Sequence, residues 1–184
     1  MTARTRTRTP LLLVLGGARS GKSAYAEARL AETCGDDVLY VATLLSDDAG
    51  DGRIAAHRRR RPAAWTTTSV DNRGNIVNAV CERARRGGLL LDGFELALAL
   101  ARPATDTAAR TYATRSAAAC RATPADLVCL VCSEVGLGVH PETEAGNTFR
   151  DRAGAATQAL AAIADEVVLV VAGLPLWLRG GPGS

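Results

Sequence analysis

The stretch Gly16-Gly17-Ala18-Arg19-Ser20-Gly21-Lys22-Ser23 decides how this sequence folds. It matches the pattern G-x-x-x-x-G-K-[ST], in which backbone N–H groups and the N-terminus of a helix surround a polyphosphate. Lys22 is the one lysine among 22 basic residues, so composition alone does not explain its place in the pattern. The loop therefore predicts a nucleotide site in which Lys22 reaches the β and γ phosphates and the Ser23 hydroxyl binds Mg²⁺.

The residues around this loop predict the strand and helix that it needs. Residues 11–15 are all apolar, as in a central parallel strand covered on both faces, and residues 24–33 favour a helix that stops at Gly35. Further strands are predicted at 38–42, 65–70, 89–91, 127–132 and 167–172, and further helices at 54–61, 76–86, 94–100, 104–121 and 148–164. This alternation predicts an α/β fold with a mainly parallel central sheet flanked by helices.

Length and composition indicate one globular domain. The chain has 184 residues, 47% of them hydrophobic and 22% charged, which excludes disordered, collagen-like and coiled-coil proteins. Its longest apolar run is about half of what a bilayer span requires, so no membrane span is expected. We expect a disordered basic arm at 1–9, one P-loop nucleotide-binding catalytic domain at 10–179 and a tail at 180–184. Five cysteines, an odd number scattered through apolar contexts, favour reduced thiols and a cytoplasmic protein.

A second part of the nucleotide site is predicted at the end of another apolar strand. Leu89-Leu90-Leu91-Asp92 places a carboxylate where it can hold the coordination shell of Mg²⁺. Similar strings also occur where a buried strand simply enters a turn, and the phosphate loop is what favours the functional interpretation.

His57 precedes four arginines, Arg58, Arg59, Arg60 and Arg61. These cations disfavour protonation of the imidazole, so its pKa should fall and its free base, a nucleophile, should persist at neutral pH. The guanidinium groups could hold a phosphate beside it. The alternatives are a solvated basic helix face with a bystander histidine, or a nucleic-acid patch; a net charge of +3 and the lack of interleaved aromatic residues argue against the latter.

Two other candidate groups are interpreted as structural. His140 follows a strand and is expected to be an ordinary loop histidine. Cys129 and Cys132 have the spacing of a zinc or redox pair, but on a strand their sulfur atoms should point in different directions, and no second pair of ligands accompanies them.

Taken together, the motifs resemble one family. They are the phosphate loop, Tyr40-Val41-Ala42-Thr43, the string R-I-x-x-H-x-x-x-R-P-x-x-W that contains His57, Glu134-Val135-Gly136-Leu137-Gly138, and Phe149-Arg150-Asp151 with the residues that follow it. This set resembles the bifunctional adenosylcobinamide kinase / adenosylcobinamide-phosphate guanylyltransferase of cobalamin biosynthesis. The likeness extends from about Leu11 to Leu178, and the strings around His57 and Glu134 are its most specific part.

The resemblance implies a RecA-like P-loop NTPase core and two reactions at one nucleotide site. ATP or GTP would phosphorylate adenosylcobinamide, and GTP would then give GMP to His57 and from there to adenosylcobinamide phosphate. Nucleotide contacts are implied at Val41, Ala42, Thr43, Arg58 to Arg61 and Asp92, with Mg²⁺ at Ser23 and Asp92. A homotrimer is also implied, with no nucleic acid as partner.

The sequence departs from the family pattern at four places. Ser69 stands for a glutamate, Asn147 for an arginine and Thr157 for an asparagine, and the segment after Asp92 reads Gly93-Phe94-Glu95 instead of a Cys-Leu-Thr-like stretch. Two alternatives therefore stay open: another small P-loop kinase, in which His57 only clamps phosphates, and a nucleotide-binding regulatory protein that has lost catalysis.

Overall fold

A computed structural model describes residues 8–43, 62–81 and 86–181 of the chain. The helix expected at 54–61 lies outside these residues, as do His57 and Arg58 to Arg61. The other predicted strands and helices fall at least partly within them.

A seven-stranded sheet forms the centre of the molecule. Its strands are β1 (Leu11–Gly16), β2 (Val38–Ala42), β3 (Thr66–Ser69), β4 (Gly88–Asp92), β5 (Leu127–Ser133), β6 (Glu166–Val171) and β7 (Leu174–Arg179). Their order across the sheet is β3-β2-β4-β5-β1-β6-β7, and only β7 runs antiparallel to its neighbour. The mainly parallel sheet predicted from the sequence is confirmed.

Helices cover both faces of this sheet. They are α1 (Lys22–Cys34), α2 (Ile76–Cys81), α3 (Phe94–Ala101), α4 (Asp106–Arg121) and α5 (Glu144–Ile163), with a short 3-10 turn at Val135–Leu137. Helix α5 begins at Glu144 rather than at residue 148 because the Thr143 hydroxyl accepts the N–H of Gly146 and caps the helix there.

Strand β1 contributes to both halves of the core. Leu11, Leu13 and Leu15 pack on the side covered by α2 to α5, whereas Leu12 and Val14 pack on the side covered by α1. Because successive side chains of a strand point to opposite faces, a strand covered on both faces needs an unbroken apolar run, as the sequence has here.

Strand β7 was not predicted from the sequence. It carries Pro175 and forms one edge of the sheet, where a residue without an N–H is tolerated. Leu174, Leu176 and Leu178 alternate along it and are all more than half exposed.

The amino ends of the strands are held by a buried arginine. Arg121, with a side chain only 10% exposed, donates hydrogen bonds to the backbone carbonyls of Thr9 and Ile163 and pairs with the Asp165 carboxylate. Asp165 in turn accepts a hydrogen bond from the N–H of Leu11, the first residue of β1, and another from Arg8.

Among the described residues, no helix is long and apolar enough to cross a membrane.

Candidate active site

The carboxyl ends of the parallel strands bring the predicted nucleotide residues to one edge of the sheet. Strand β1 leads into the phosphate loop, β2 ends beside Thr43, and β4 ends at Asp92. Ligands of open α/β sheets bind at this edge. The fold therefore brings together residues that lie far apart in the sequence.

The phosphate loop is closed by its own hydrogen bonds. The N–H of Ser20 donates to the carbonyl of Gly17 over 3.2 Å, and the N–H of Lys22 donates to the Ser20 hydroxyl over 3.3 Å. The Lys22 ammonium reaches back to the Gly17 carbonyl at 3.2 Å. Gly21, with φ of 94°, starts α1, whose first turn contains no acidic residue. The positive end of this helix is therefore left for an anion.

The turn between β6 and β7 supports the loop from behind. The N–H of Gly173 donates to the Ser20 carbonyl over 2.8 Å. A methyl group on Gly16 would collide with the Ser20 hydroxyl and lie 2.7 Å from the Val170 carbonyl oxygen. The loop can keep this shape only with glycine at its first position.

Asp92 lies against the loop, as the sequence predicted. The Ser23 hydroxyl donates to Asp92 Oδ1 over 3.1 Å, and the Tyr40 hydroxyl donates to Asp92 Oδ2 over 2.7 Å. The Thr43 hydroxyl donates to the backbone carbonyl of Asp92 over 2.9 Å. The carboxylate is thus held in one orientation from two sides.

Tyr40 is a residue that the sequence analysis did not include in the site. It is 2% exposed and lies in β2 among aliphatic residues. A buried tyrosine needs a partner for its hydroxyl, and this requirement is the signal that could have pointed to Asp92.

The oxygen atoms of Ser23 and Asp92 fit Mg²⁺. Both are hard ligands, and their present hydrogen bond puts them at a distance that one ion could bridge with its water shell. No group of three or more His, Cys, Asp or Glu side chains that could hold a metal exists within the described residues. Mg²⁺ usually takes only one or two protein ligands, with phosphates and water completing the octahedron, so this pair suffices.

The remaining predicted contacts occupy different environments. Gly17, Ala18 and Arg19 are exposed at the mouth of the loop. Thr43 is 4% exposed, and Val41 is fully buried, with its side chain in the core. His57 and its four arginines lie outside the described residues.

A second carboxylate lies close to this edge. Glu95, on the first turn of α3, is 7% exposed and accepts the N–H of Ser133 over 3.0 Å. It thereby joins α3 to the end of β5, the strand that lies between the phosphate-loop strand and the Asp92 strand.

The cysteine pair is not part of a metal site in the described chain. Cys129 and Cys132 belong to the two opposite halves of the core, as their spacing on a strand predicted. Burial raises the pKa of both thiols, and the Asp92 carboxylate raises the pKa of Cys129 further. Both therefore stay protonated and are poor ligands and nucleophiles. His140 is exposed, in the loop before α5.

The departures from the family pattern are accommodated inside the fold. The Asn147 amide donates to the Pro141 carbonyl over 3.2 Å, and the Thr157 hydroxyl lies 3.5 Å from the Cys132 sulfur. Ser69 is exposed at the end of β3, paired with Ala42 of β2. Asn147 and Thr157 therefore make local contacts through these atoms, although the buried Asn147 Oδ1 accepts no hydrogen bond, and Ser69 faces solvent.

Comparison with known proteins agrees with this site. Residues 12–178 match the family model CobU, described as cobinamide kinase / cobinamide phosphate guanyltransferase. The chain belongs to this family. The bifunctional adenosylcobalamin biosynthesis protein CobU of Escherichia coli is 38% identical over 183 residues, covering 92% of this chain and 99% of that protein. The bifunctional adenosylcobalamin biosynthesis protein CobP of Pseudomonas aeruginosa is 38% identical over 172 residues, which cover 92% of this chain and 98% of that protein.

Membership in the CobU family confirms the expected enzyme class, a bifunctional cobinamide kinase and cobinamide-phosphate guanylyltransferase. The fold is shared more widely. The flagellar accessory protein FlaH of Methanocaldococcus jannaschii superposes with a TM-score of 0.50 at 16% identity, over 95% of this chain and 81% of that one. With the phosphate loop on β1 and with β5 between β1 and β4, the expected RecA-like P-loop NTPase fold is confirmed.

Proposed function

We propose that this chain phosphorylates adenosylcobinamide with ATP or GTP and then transfers GMP from GTP to the product, giving adenosylcobinamide-GDP. The observation that carries the proposal is the contact of Ser23 with Asp92 at the mouth of the phosphate loop, beside Lys22. This arrangement supports a triphosphate site. The name of the matched CobU family indicates the two molecules that would receive the transferred groups, a cobinamide and its phosphate.

In the first reaction, the hydroxyl oxygen of the aminopropanol arm of adenosylcobinamide attacks the γ-phosphorus of the nucleotide. The bond between the γ-phosphorus and the oxygen that it shares with the β-phosphate breaks. The nucleoside diphosphate leaves, and the proton of the hydroxyl passes to a base. Lys22 exchanges its contact with the Gly17 carbonyl for the β and γ phosphates, and the loop N–H groups bind the phosphate oxygens. Ser23 and Asp92 would hold Mg²⁺, which would supply a positive charge beside the triphosphate.

In the second reaction, a nitrogen of His57 attacks the α-phosphorus of GTP, pyrophosphate leaves, and a phosphoramidate of GMP forms. A phosphate oxygen of adenosylcobinamide phosphate then attacks the same phosphorus, and the P–N bond breaks to free the imidazole. Arg58 to Arg61 hold the phosphates during both displacements. Splitting one displacement into two in this way is the usual advantage of a covalent intermediate.

The test uses GTP labelled in the α-phosphate, with Mg²⁺ and the full-length protein. We expect mass spectrometry of the denatured protein to find GMP on His57, labile to acid, and no adduct on His57→Asn. His140→Asn is the matched control and should be labelled like the wild type, because His140 is an exposed loop residue. Absence of the adduct under conditions where GTP binds would contradict the guanylyl-transfer half.

The same protein separates the two alternatives. Transfer of γ-phosphate to adenosylcobinamide that is unaffected by His57→Asn, with no adduct, would indicate a plain kinase. Binding of GTP without either transfer would indicate a regulatory protein.

We also propose that the protein is a homotrimer. The exposed side of β7 supports an interface, because Leu174 is 72% exposed and Leu176 and Leu178 are each 57% exposed. Apolar side chains gathered on one exposed edge are typical of protein contacts. Sedimentation equilibrium should give three times the mass of the chain, and Leu176→Asp should lower that mass. A monomeric wild type at micromolar concentration would contradict the trimer.

A further inference from the structure

An open groove of about 530 Å³ lies between α3 and α5. Its volume falls within the range of small-molecule sites. The half-buried Phe149 forms its apolar wall, with the buried Leu98 behind it. Ala99 and Ala145 are exposed along its rim, Arg102 and Arg152 supply cations, and Glu144 supplies a carboxylate. A groove of this kind suits a large ligand that combines apolar surface with polar side groups.

Both helices that line the groove begin at the edge of the sheet that carries the phosphate loop. Helix α3 begins directly after Gly93, which follows Asp92. Helix α5 runs from the carboxyl end of β5 back to Glu166, which pairs with Leu12 near the start of β1, so its first turns lie at the carboxyl edge. Both walls of the groove therefore originate beside the triphosphate site.

The distance along α3 matches the length of the substrate's arm. At about 1.5 Å per residue, Leu98 and Arg102 lie roughly 6 and 12 Å along the helix axis from its first residue. In cobinamide, the reacting hydroxyl is joined to the corrin ring by a propionyl-aminopropanol chain that spans roughly 8 Å when extended. A ring in the groove can thus present its hydroxyl near Asp92.

The chemistry of the groove also suits a corrinoid. A corrin has apolar faces and a rim of amide side chains, which accept hydrogen bonds from guanidinium groups. Arg152 is already held in place, since it donates to the Ala104 carbonyl over 2.7 Å. This bond joins α5 to the segment between α3 and α4 and keeps the two sides of the groove at a fixed spacing.

We infer that the α3–α5 groove binds the corrin ring of the cobinamide substrate, with its aminopropanol arm directed to the triphosphate. The inference rests on the proposed function for the identity of the substrate. It assigns Phe149, with Ala99 and Ala145, as the apolar contacts, and Arg102 and Arg152 as donors to the peripheral amides.

The test fills the groove without entering the core. Tryptophan is introduced at Ala99 and, separately, at Ala145, both of which are exposed. Ala118→Trp is the matched control, because Ala118 is exposed on α4 and does not line the groove. Binding of adenosylcobinamide is measured in the dark by equilibrium dialysis, and KM is measured for both substrates of γ-phosphate transfer.

We expect each groove variant to bind adenosylcobinamide roughly ten-fold more weakly or worse, because the indole occupies the space of the ring. The KM for adenosylcobinamide should rise while the KM for the nucleotide and GMP labelling of His57 stay at the wild-type level. Ala118→Trp should match the wild type throughout. Wild-type affinity for adenosylcobinamide in both groove variants would overturn the inference while leaving the proposed function intact.

A measurement on the unmodified protein guards against misfolded variants. Amide hydrogen exchange at residues 98–103 and 144–152 should slow when adenosylcobinamide is saturating.

Phosphorylation of adenosylcobinamide without this protection would overturn the assignment of the groove and leave the proposed function intact. A changed oligomeric mass with unchanged corrinoid affinity would assign the groove to a subunit contact, which also overturns it. A wild type that binds nucleotide but neither binds nor phosphorylates cobinamide would overturn both proposals.

Discussion

Ser23 and Asp92, separated by 69 residues of sequence, are joined by a hydrogen bond of 3.1 Å between the Ser23 hydroxyl and one carboxylate oxygen. The bond connects the first turn of α1 to the end of β4. It places the two proposed Mg²⁺ ligands side by side before any ligand arrives. The fold itself therefore sets the relative position of two residues of the proposed triphosphate site.

Replacing the Asp92 carboxylate by an amide of the same shape tests whether the negative charge is needed. Ser23 and Tyr40 donate to different oxygens of Asp92. Asp92→Asn keeps an oxygen for one of them, and its amide N–H can donate to the other hydroxyl, which then turns to accept. The negative charge is lost, so γ-phosphate transfer should slow by about 10²-fold. The midpoint of thermal unfolding should change little. Steady-state kinetics at several Mg²⁺ concentrations checks this, and unchanged kcat and Mg²⁺ dependence would argue against a role for Asp92 in holding the ion.

Alanine at Gly16 and at Gly17 should have opposite outcomes. A methyl at Gly16 meets the Ser20 hydroxyl and the Val170 carbonyl oxygen, whereas a methyl at Gly17 meets nothing within 4 Å. We expect Gly16→Ala to lower stability by about 1–3 kcal/mol and to abolish nucleotide binding, since the loop must shift. Gly17→Ala should fold normally. Thermal unfolding and nucleotide titration of the two variants compare them directly, and equal stabilities would refute the packing argument.

Arg121 should matter for stability but not for catalysis. Arg121→Ala leaves the carbonyls of Thr9 and Ile163 without this donor and leaves the Asp165 carboxylate paired with the exposed Arg8, which should cost about 2–4 kcal/mol. Arg110→Ala, on the exposed side of the same helix, is the matched control and should cost less than about 0.5 kcal/mol. Urea unfolding measures both. A large loss of kcat/KM in folded Arg121→Ala would contradict a purely structural role.

Alkaline pH should destabilise the fold. Burial raises the pKa of Cys129 and Cys132 above the ordinary 9.0, and that of Tyr112 above 10.0. At a pH between the ordinary pKa of such a group and its raised native pKa, the unfolded chain has lost a proton that the native chain keeps. The free energy of unfolding should therefore be unaffected by these groups below pH 9. Above pH 9 it should fall, by up to about 1.4 kcal/mol per pH unit for each group.

Urea unfolding from pH 8 to pH 11 checks this dependence. The variant with alanine at both Cys129 and Cys132 should show a shallower fall, although it is less stable at pH 8. Parallel curves for the variant and the wild type would show that these thiols do not set the dependence.

The phosphate loop and β1 could be predicted because their physical requirements are local. A loop that wraps phosphate needs glycines at fixed positions, and a strand covered on both faces needs an unbroken apolar run. Both requirements are visible within a dozen residues. The edge strand β7 was missed because Pro175 and Trp177 alternate with leucines, so its sequence lacks the polar–apolar alternation of an ordinary edge strand.

The orientation of Asp92 could not be predicted because it depends on a long-range contact. Tyr40 reaches Asp92 only because β2 and β4 are neighbours in the sheet, with Ala42 opposite Asp92. Nothing in either segment alone determines that pairing. The groove between α3 and α5 has the same origin, since its two walls lie on helices joined by no short connection.

The pairing of β1 has a consequence for the synthesis of the protein. Leu11 lies opposite Val128, and Leu12 lies opposite Glu166, so both strands that pair with the phosphate-loop strand belong to the last third of the chain and leave the ribosome late. Its five consecutive apolar side chains stay exposed until then, a hazard for aggregation during translation. We expect the nascent chain to bind chaperones and to gain affinity for nucleotide only when β6 is complete.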